Sequence, residues 1–185
     1  MRYFLGFFAT VLLIILLIIL LVHGGSKPSV PPITKTLDSY ASSGGVASML
    51  IDGPVNANSQ HVQVRITIDR DNARYEQLTG YDGDVVKQLN FDNTQSAYEA
   101  FLLSLAHAGF TKGNPSKQLT DERGYCPTGR RYVFELTQQD RTVERYWATS
   151  CGKPKTYLGN LDLTITLFQA QVPNYSQLTG DLQQL

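Results

Sequence analysis

Residues 124–152 read GYCPTGRRYVFELTQQDRTVERYWATSCG. Tyr132, Phe134 and Leu136 alternate along 130–137, and Val143, Arg145 and Trp147 alternate along 142–149. A period of two in runs rich in aromatic and β-branched residues marks strands, and the polar Gln-Gln-Asp-Arg between them marks a hairpin turn. A two-residue loop at Gln138–Gln139 sets Phe134 opposite Val143 and Cys126 opposite Cys151, the two cysteines of the chain. In that register both cysteines and Arg145 share the Phe134 side, while the adjacent Arg130 and Arg131 point to opposite faces. The open end of a hairpin can hold Cα atoms at the ~4.4–6.8 Å that a disulfide requires. The expected Cys126–Cys151 bond closes a loop of about 25 residues and contributes roughly 3 kcal/mol by restricting the unfolded chain. The alternative is a pair of partly buried thiols. No C-x-x-C is present, and His23, His61 and His107 show no ligand spacing relative to the cysteines, so no metal site and no cofactor is expected.

The disulfide bears on the other end of the chain. Residues 3–22, YFLGFFATVLLIILLIILLV, carry no charge and no proline. At ~1.5 Å per residue such a run spans about 30 Å, the hydrocarbon thickness of a bilayer. The apolar core of a cleaved signal peptide is shorter, although a cleavage site near Gly24 is the alternative reading. A lipoprotein would need a cysteine just after the run, and a pilin-type leader would carry Glu where Val11 stands. The expectation is a single-pass transmembrane anchor over 1–23, contacting the lipid bilayer through 3–22. A Gly/Pro/Ser linker over 24–32 and one folded domain over 33–185 follow. Arg2 on one flank and Lys27 and Lys35 on the other leave orientation undecided by charge. Disulfides persist outside the cytosol, so the pair decides it: N-terminus cytoplasmic, domain outside.

Within the domain, a short helix is expected over 33–42, from Ile33, Leu37, Tyr40 and Ala41 on one stripe. Strands are expected over 46–52, 61–69, 73–79 and 85–91. The clearest is HVQVRITID (61–69), with Val62, Val64, Ile66 and Ile68 inward and Gln63, Arg65 and Thr67 outward. Residues 91–110 form the best helix, capped by Asp92 or Asn93, with Tyr98, Phe101, Leu102 and Leu105 on one face and Gly109 at its end. A polar loop fills 111–125. Residues 161–171 fit a strand or a helix, and Asn160 as a cap with Pro173 as a stop favours the helix. The fold class is therefore α+β: a mostly antiparallel sheet with helices on one face, preceded by one transmembrane helix.

GYCPTGRRY (124–132), Trp147 with SCG (150–152), LF (167–168) before QVPNY (171–175), GYDGDV (80–85) and AYEAFLLSLAHAGFT (97–111) together resemble an uncharacterised group of small, membrane-anchored bacterial proteins. The resemblance covers most of 33–180. It implies a bacterial envelope setting and no particular activity.

Charge gives the functional lead. Residues 28–110 carry five basic and nine acidic side chains, and 111–155 carry nine basic and five acidic. Arg130, Arg131, Arg145, Tyr146 and Trp147 stand out as a candidate binding surface, since arginine beside aromatics suits anionic or sugar-bearing partners. A solvated strand face over an aromatic core is the plainer alternative. No Gly-rich nucleotide loop, nucleophile elbow or full calcium loop occurs. Asp69, Asp71, Asp82 and Asp84 read as turn residues. The expected function is a membrane-tethered extracytoplasmic binding or interaction module with no catalytic residues assigned. Its expected partner is an anionic envelope polymer or a protein, and nucleic acid is excluded by the compartment. A structural subunit of a membrane complex, or an envelope enzyme with an unrecognised site, are the alternatives.

Overall fold

The computed structural model describes residues 13, 36–114, 116–180 and 182. The anchor and linker expectations for 1–32 lie outside the described residues, apart from Leu13. Among the described residues no helix is long and apolar enough to cross a membrane. The folded unit spans Lys35–Leu185.

It is an α+β domain. The strands are β1 (Gly45–Asp52), β2 (Val62–Ile68), β3 (Asn72–Thr79), β4 (Asp84–Asp92), β5 (Arg131–Gln138) and β6 (Arg141–Thr149). They form one six-stranded sheet in the order β4-β3-β2-β1-β5-β6, antiparallel at every pairing. The helices are α1 (Gln95–Ala108), α2 (Leu161–Ala170) and α3 (Tyr175–Thr179). A 3₁₀ turn at Leu37–Tyr40 takes part of the segment expected as a helix.

Register explains which face is buried. Ala47, Met49 and Ile51 of β1 oppose Ile68, Ile66 and Val64 of β2, and Leu136, Phe134 and Tyr132 of β5. All nine are buried. On this face sit Tyr98, Phe101, Leu102 and Leu105 from α1 and Phe168 from α2. Phe134 lies at the centre, with ring centroids 4.7 Å from Tyr157, 6.2 Å from Phe110 and 6.3 Å from Phe168. The Tyr98 hydroxyl donates to Gly45 O at 3.0 Å, so its buried phenol keeps a partner. The two main helices start and stop where local chemistry directs. Thr94 Oγ1 accepts from Ala97 N at 3.2 Å, one residue beyond the caps expected at Asp92 or Asn93. Gly109 closes α1 at φ 79°, a left-handed conformation glycine adopts without steric cost. Asn160 Oδ1 accepts from Leu163 N at 3.1 Å, and residues 161–170 are helix, not strand.

The hairpin corrects the expected register. The two loop residues are Gln139 and Asp140, at φ 49° and 60°, not Gln138 and Gln139. Positive φ at both central positions is the type I′ pattern whose twist matches a hairpin. Asp tolerates that region better than Gln, which moves the turn one residue onward. Gln138 instead pairs with Arg141, and its amide donates to Ser43 O at 2.9 Å. Phe134 consequently faces Tyr146, and the ladder shifts once between Leu136 and Thr137. Even-numbered residues of both strands share the helix-covered face over most of the ladder. Val143 and Arg145 therefore do not lie with Phe134.

Cys126 and Cys151 lie at disulfide distance, with Cα atoms 5.8 Å apart, but not across the ladder. Pairing ends at Arg131–Thr149, and the cysteines sit in the turns beyond it. Ser150 holds these turns together: its N donates to Arg130 O at 2.9 Å and its Oγ accepts from Arg130 N at 2.9 Å. A Cβ at Gly129 would strike both Cys126 Sγ and Ser150 Oγ, so this turn requires glycine.

Replacing Gln139 with Asn and Asp140 with Gly supplies the dipeptide that the I′ turn favours. The double variant should gain about 1 kcal/mol, a rise in Tm of about 2–4 °C. A thermal melt followed by circular dichroism checks this. An unchanged or lower Tm would refute the turn assignment.

Candidate binding face of the sheet

The face away from α1 and α2 is organised in cross-strand rows. One row runs Thr149–Arg131–Asp52–Gln63, the next Trp147–Val133–Leu50–Arg65–Glu76, and a third Arg145–Glu135–Ser48–Thr67–Arg74. The alternation in HVQVRITID put Gln63, Arg65 and Thr67 on this side, and they are there.

The first row is a buried polar cluster. Arg131 Nε donates to Asp52 Oδ2 at 2.7 Å and its Nη2 donates to Gly53 O at 2.7 Å. Arg131 is 2% exposed. The other Asp52 oxygen lies 2.7 Å from His61 Nε2 and accepts from Gln63 Nε2 at 3.0 Å. His61 is fully buried, its Nδ1 is 3.2 Å from Pro54 O, and Tyr81 stacks on it at 4.0 Å. A buried carboxylate needs this many partners to offset its lost hydration.

The third row meets the loop of residues 111–129. Arg145 Nε donates to Glu135 Oε1 at 2.9 Å, Nη2 to Glu122 Oε2 at 2.6 Å and Nη1 to Thr120 O at 3.0 Å. Burial alone would lower the Arg145 pKa, but Glu122 and Glu135 more than offset it and hold the guanidinium above its ordinary value. Trp147 is buried, its indole N–H donating to Leu119 O at 2.8 Å and its ring stacked on Tyr125 at 5.3 Å. The segment after β6 folds back on this edge. Thr156 N and Tyr157 N both donate to Trp147 O at 2.9 Å, and Thr156 Oγ1 accepts from Trp147 N at 2.8 Å.

The five residues expected to form one surface are thus distributed. Arg131 is spent on Asp52. Tyr146 belongs to the helix-covered face, packed on Gly113, with burial and then Glu144 pushing its phenol up to about 12. Arg130 is exposed and lines a separate cavity of about 250 Å³ with Ile51, Tyr132, Ile165, Gln169 and Tyr175. Arg145 and Trp147 do come together. With Asn114, Ser116, Leu119, Thr120 and Thr156 they line a recess of about 270 Å³. Arg145 also lines a second recess of about 240 Å³, together with Ser48, Leu50, Arg65, Val133 and Glu135. Glu122, Thr156 and Ser116 were not singled out from the sequence, because nothing local marks them. Only the folding of two loops onto β6 assembles them.

Among the described residues no group of three or more His, Cys, Asp or Glu side chains is arranged to hold a metal ion. Asp69 does turn work, its Oδ1 accepting from Asp71 N at 2.8 Å and Asn72 N at 2.7 Å. No protein-family model and no curated protein matches this chain.

Arg131→Met strands the Asp52 carboxylate and should lower unfolding free energy by about 3–5 kcal/mol. Arg70→Met breaks only the exposed Arg70–Asp71 pair and should cost less than about 1 kcal/mol. Denaturant unfolding of the two variants measures the contrast, and equal losses would contradict the structural role given to Arg131.

Proposed function

We propose that the chain is a membrane-tethered, extracytoplasmic binding module that recognises a component of the cell envelope through the open face of its sheet. One observation carries the reading: the recess beside Arg145 and Trp147. It combines an apolar floor with hydroxyl, amide and guanidinium walls, the composition of a small-ligand site. The tether rests on the apolar run of 3–22, and the compartment on the cysteine pair. The disulfide distance between Cys126 and Cys151 agrees with an oxidising compartment.

Trp147 is the sole tryptophan, so its emission reports directly on the recess. The probe is a mixture of oligomers from hydrolysed envelope polysaccharide, added to the full chain in a detergent without a sugar headgroup. A saturable change is expected in the native chain and none in Ser116→Phe, which fills the recess while leaving the Arg145 ion pairs in place. Identical responses of the two proteins would remove the recess from the binding face.

The compartment has its own test. A membrane-impermeant alkylating reagent on intact cells should label the chain only after reduction. Thiols that react after lysis without any reductant would place the domain in the cytoplasm.

A further inference from the structure

The two recesses on the open face share one wall, the Arg145 side chain. Their volumes of about 270 and 240 Å³ are nearly equal. Each has room for several waters, and so for a small ring-shaped ligand. The shared Arg145 side chain is held by three hydrogen bonds to Glu135, Glu122 and Thr120, from two different parts of the chain. A guanidinium has five N–H donors, so Arg145 keeps two that are not used by these bonds.

Charge decides what kind of ligand this arrangement accepts. The surplus of basic residues in 111–155 points to an anion, but their pairing does not. Arg145 is bonded to two carboxylates and Arg65 lies 3.6 Å from Glu76. The face therefore holds the carboxylates of Glu76, Glu122 and Glu135 against the guanidiniums of Arg65, Arg74 and Arg145, with no net charge to attract an anion. An anionic ligand would gain one neutralised guanidinium and meet carboxylates on both sides of it. A neutral ligand rich in hydroxyls meets no such repulsion. It finds donors and acceptors at Arg145, Ser48, Ser116, Thr120 and Asn114, with Leu119, Trp147, Leu50 and Val133 beneath its C–H faces.

Resting on the reading of the Trp147 recess as the binding site, we infer that the two recesses take consecutive units of a neutral linear oligosaccharide, with Arg145 between them. Such a ligand gains a second set of contacts when its length goes from one ring to two.

The test uses the full chain and Trp147 emission, in a detergent without a sugar headgroup. The probes are glucose, mannose and N-acetylglucosamine, each as monomer and as linear dimer, against galacturonate monomer and dimer. At least one neutral series should bind saturably, its dimer about tenfold tighter than its monomer, and the galacturonate series about tenfold weaker than that neutral series. Ser48→Leu, which fills the second recess, should erase the gain of the dimer over the monomer. A dimer no tighter than its monomer, or no response to any neutral series, overturns the inference. Galacturonate binding that exceeds the neutral sugars overturns it too, while leaving the recess as the binding site if Ser116→Phe abolishes that binding. The comparison of sugars on the native chain stands even if a variant fails to fold.

Discussion

The ion pair between Asp52 and Arg131 joins the two halves of the sheet. Asp52 ends β1, the last residue to pair with both β2 and β5, and Arg131 begins β5 directly opposite it. The two residues are 79 positions apart in the chain. A slip of one residue in this pairing would send every β5 side chain to the other face. It would place Arg131 among Phe134's neighbours and leave Asp52 buried without its cation. The penalty for an uncompensated buried charge, several kcal/mol, far exceeds what a single cross-strand pair contributes. The hairpin is thereby held in one register against the meander, and His61 and Gln63 complete the carboxylate's coordination from β2's side.

With that register set, the two faces of the sheet acquire different characters. The helix-covered face closes around Phe134 and its aromatic neighbours. Among the described residues the other face receives no α-helix, and the loop of 111–129 and the return at Thr156–Tyr157 cover it incompletely. Partial cover is what leaves recesses. At the far edge, β4 is largely exposed, with Leu89 and Phe91 half-buried against the core, and it carries Lys87 beside the register shift at Gln77 and Leu78. Charge and irregularity of this kind discourage pairing between sheet edges. The covered edge at β6 and the blunted edge at β4 leave the open face as the place where the fold presents organised polar side chains.

The disulfide occupies a position consistent with this division. It ties the turn before β5 to the turn after β6, beyond the end of the ladder that Arg131 anchors. Covalent closure of the loop and the buried ion pair thus act on the same end of the hairpin, one by restricting the unfolded chain and the other through native contacts. The cysteines lie at disulfide distance although the register that suggested it does not hold, because Ser150 and Gly129 bring the two turns together by a route that counting along the strands could not show.

Alternation and capping made much of the domain legible in the sequence. The period of two in 61–69 and 130–137, the helical stripe of Tyr98, Phe101, Leu102 and Leu105, Gly109 as a stop and Asn160 as a cap are local signals, and each acts within a few residues of where it is written. The cysteine pair was legible because few partners were available. Strand order, the turn at Gln139–Asp140 and the recesses were not. Turn position depended on which residue could best bear a positive φ, a difference of about 1–2 kcal/mol that neighbouring pairings can reverse. The opposite directions of Arg130 and Arg131 were legible from alternation, but the partners that part the five candidate residues, Asp52 for Arg131 and Glu122, Glu135 and Thr120 for Arg145, were not. Sequence alone determined where the six strands and the long helix α1 would form and how many charges each carried. Tertiary structure decided where those charges were spent, because pairing between Arg131 and Asp52, or Arg145 and Glu122, exists only once distant strands and loops are brought within hydrogen-bond reach.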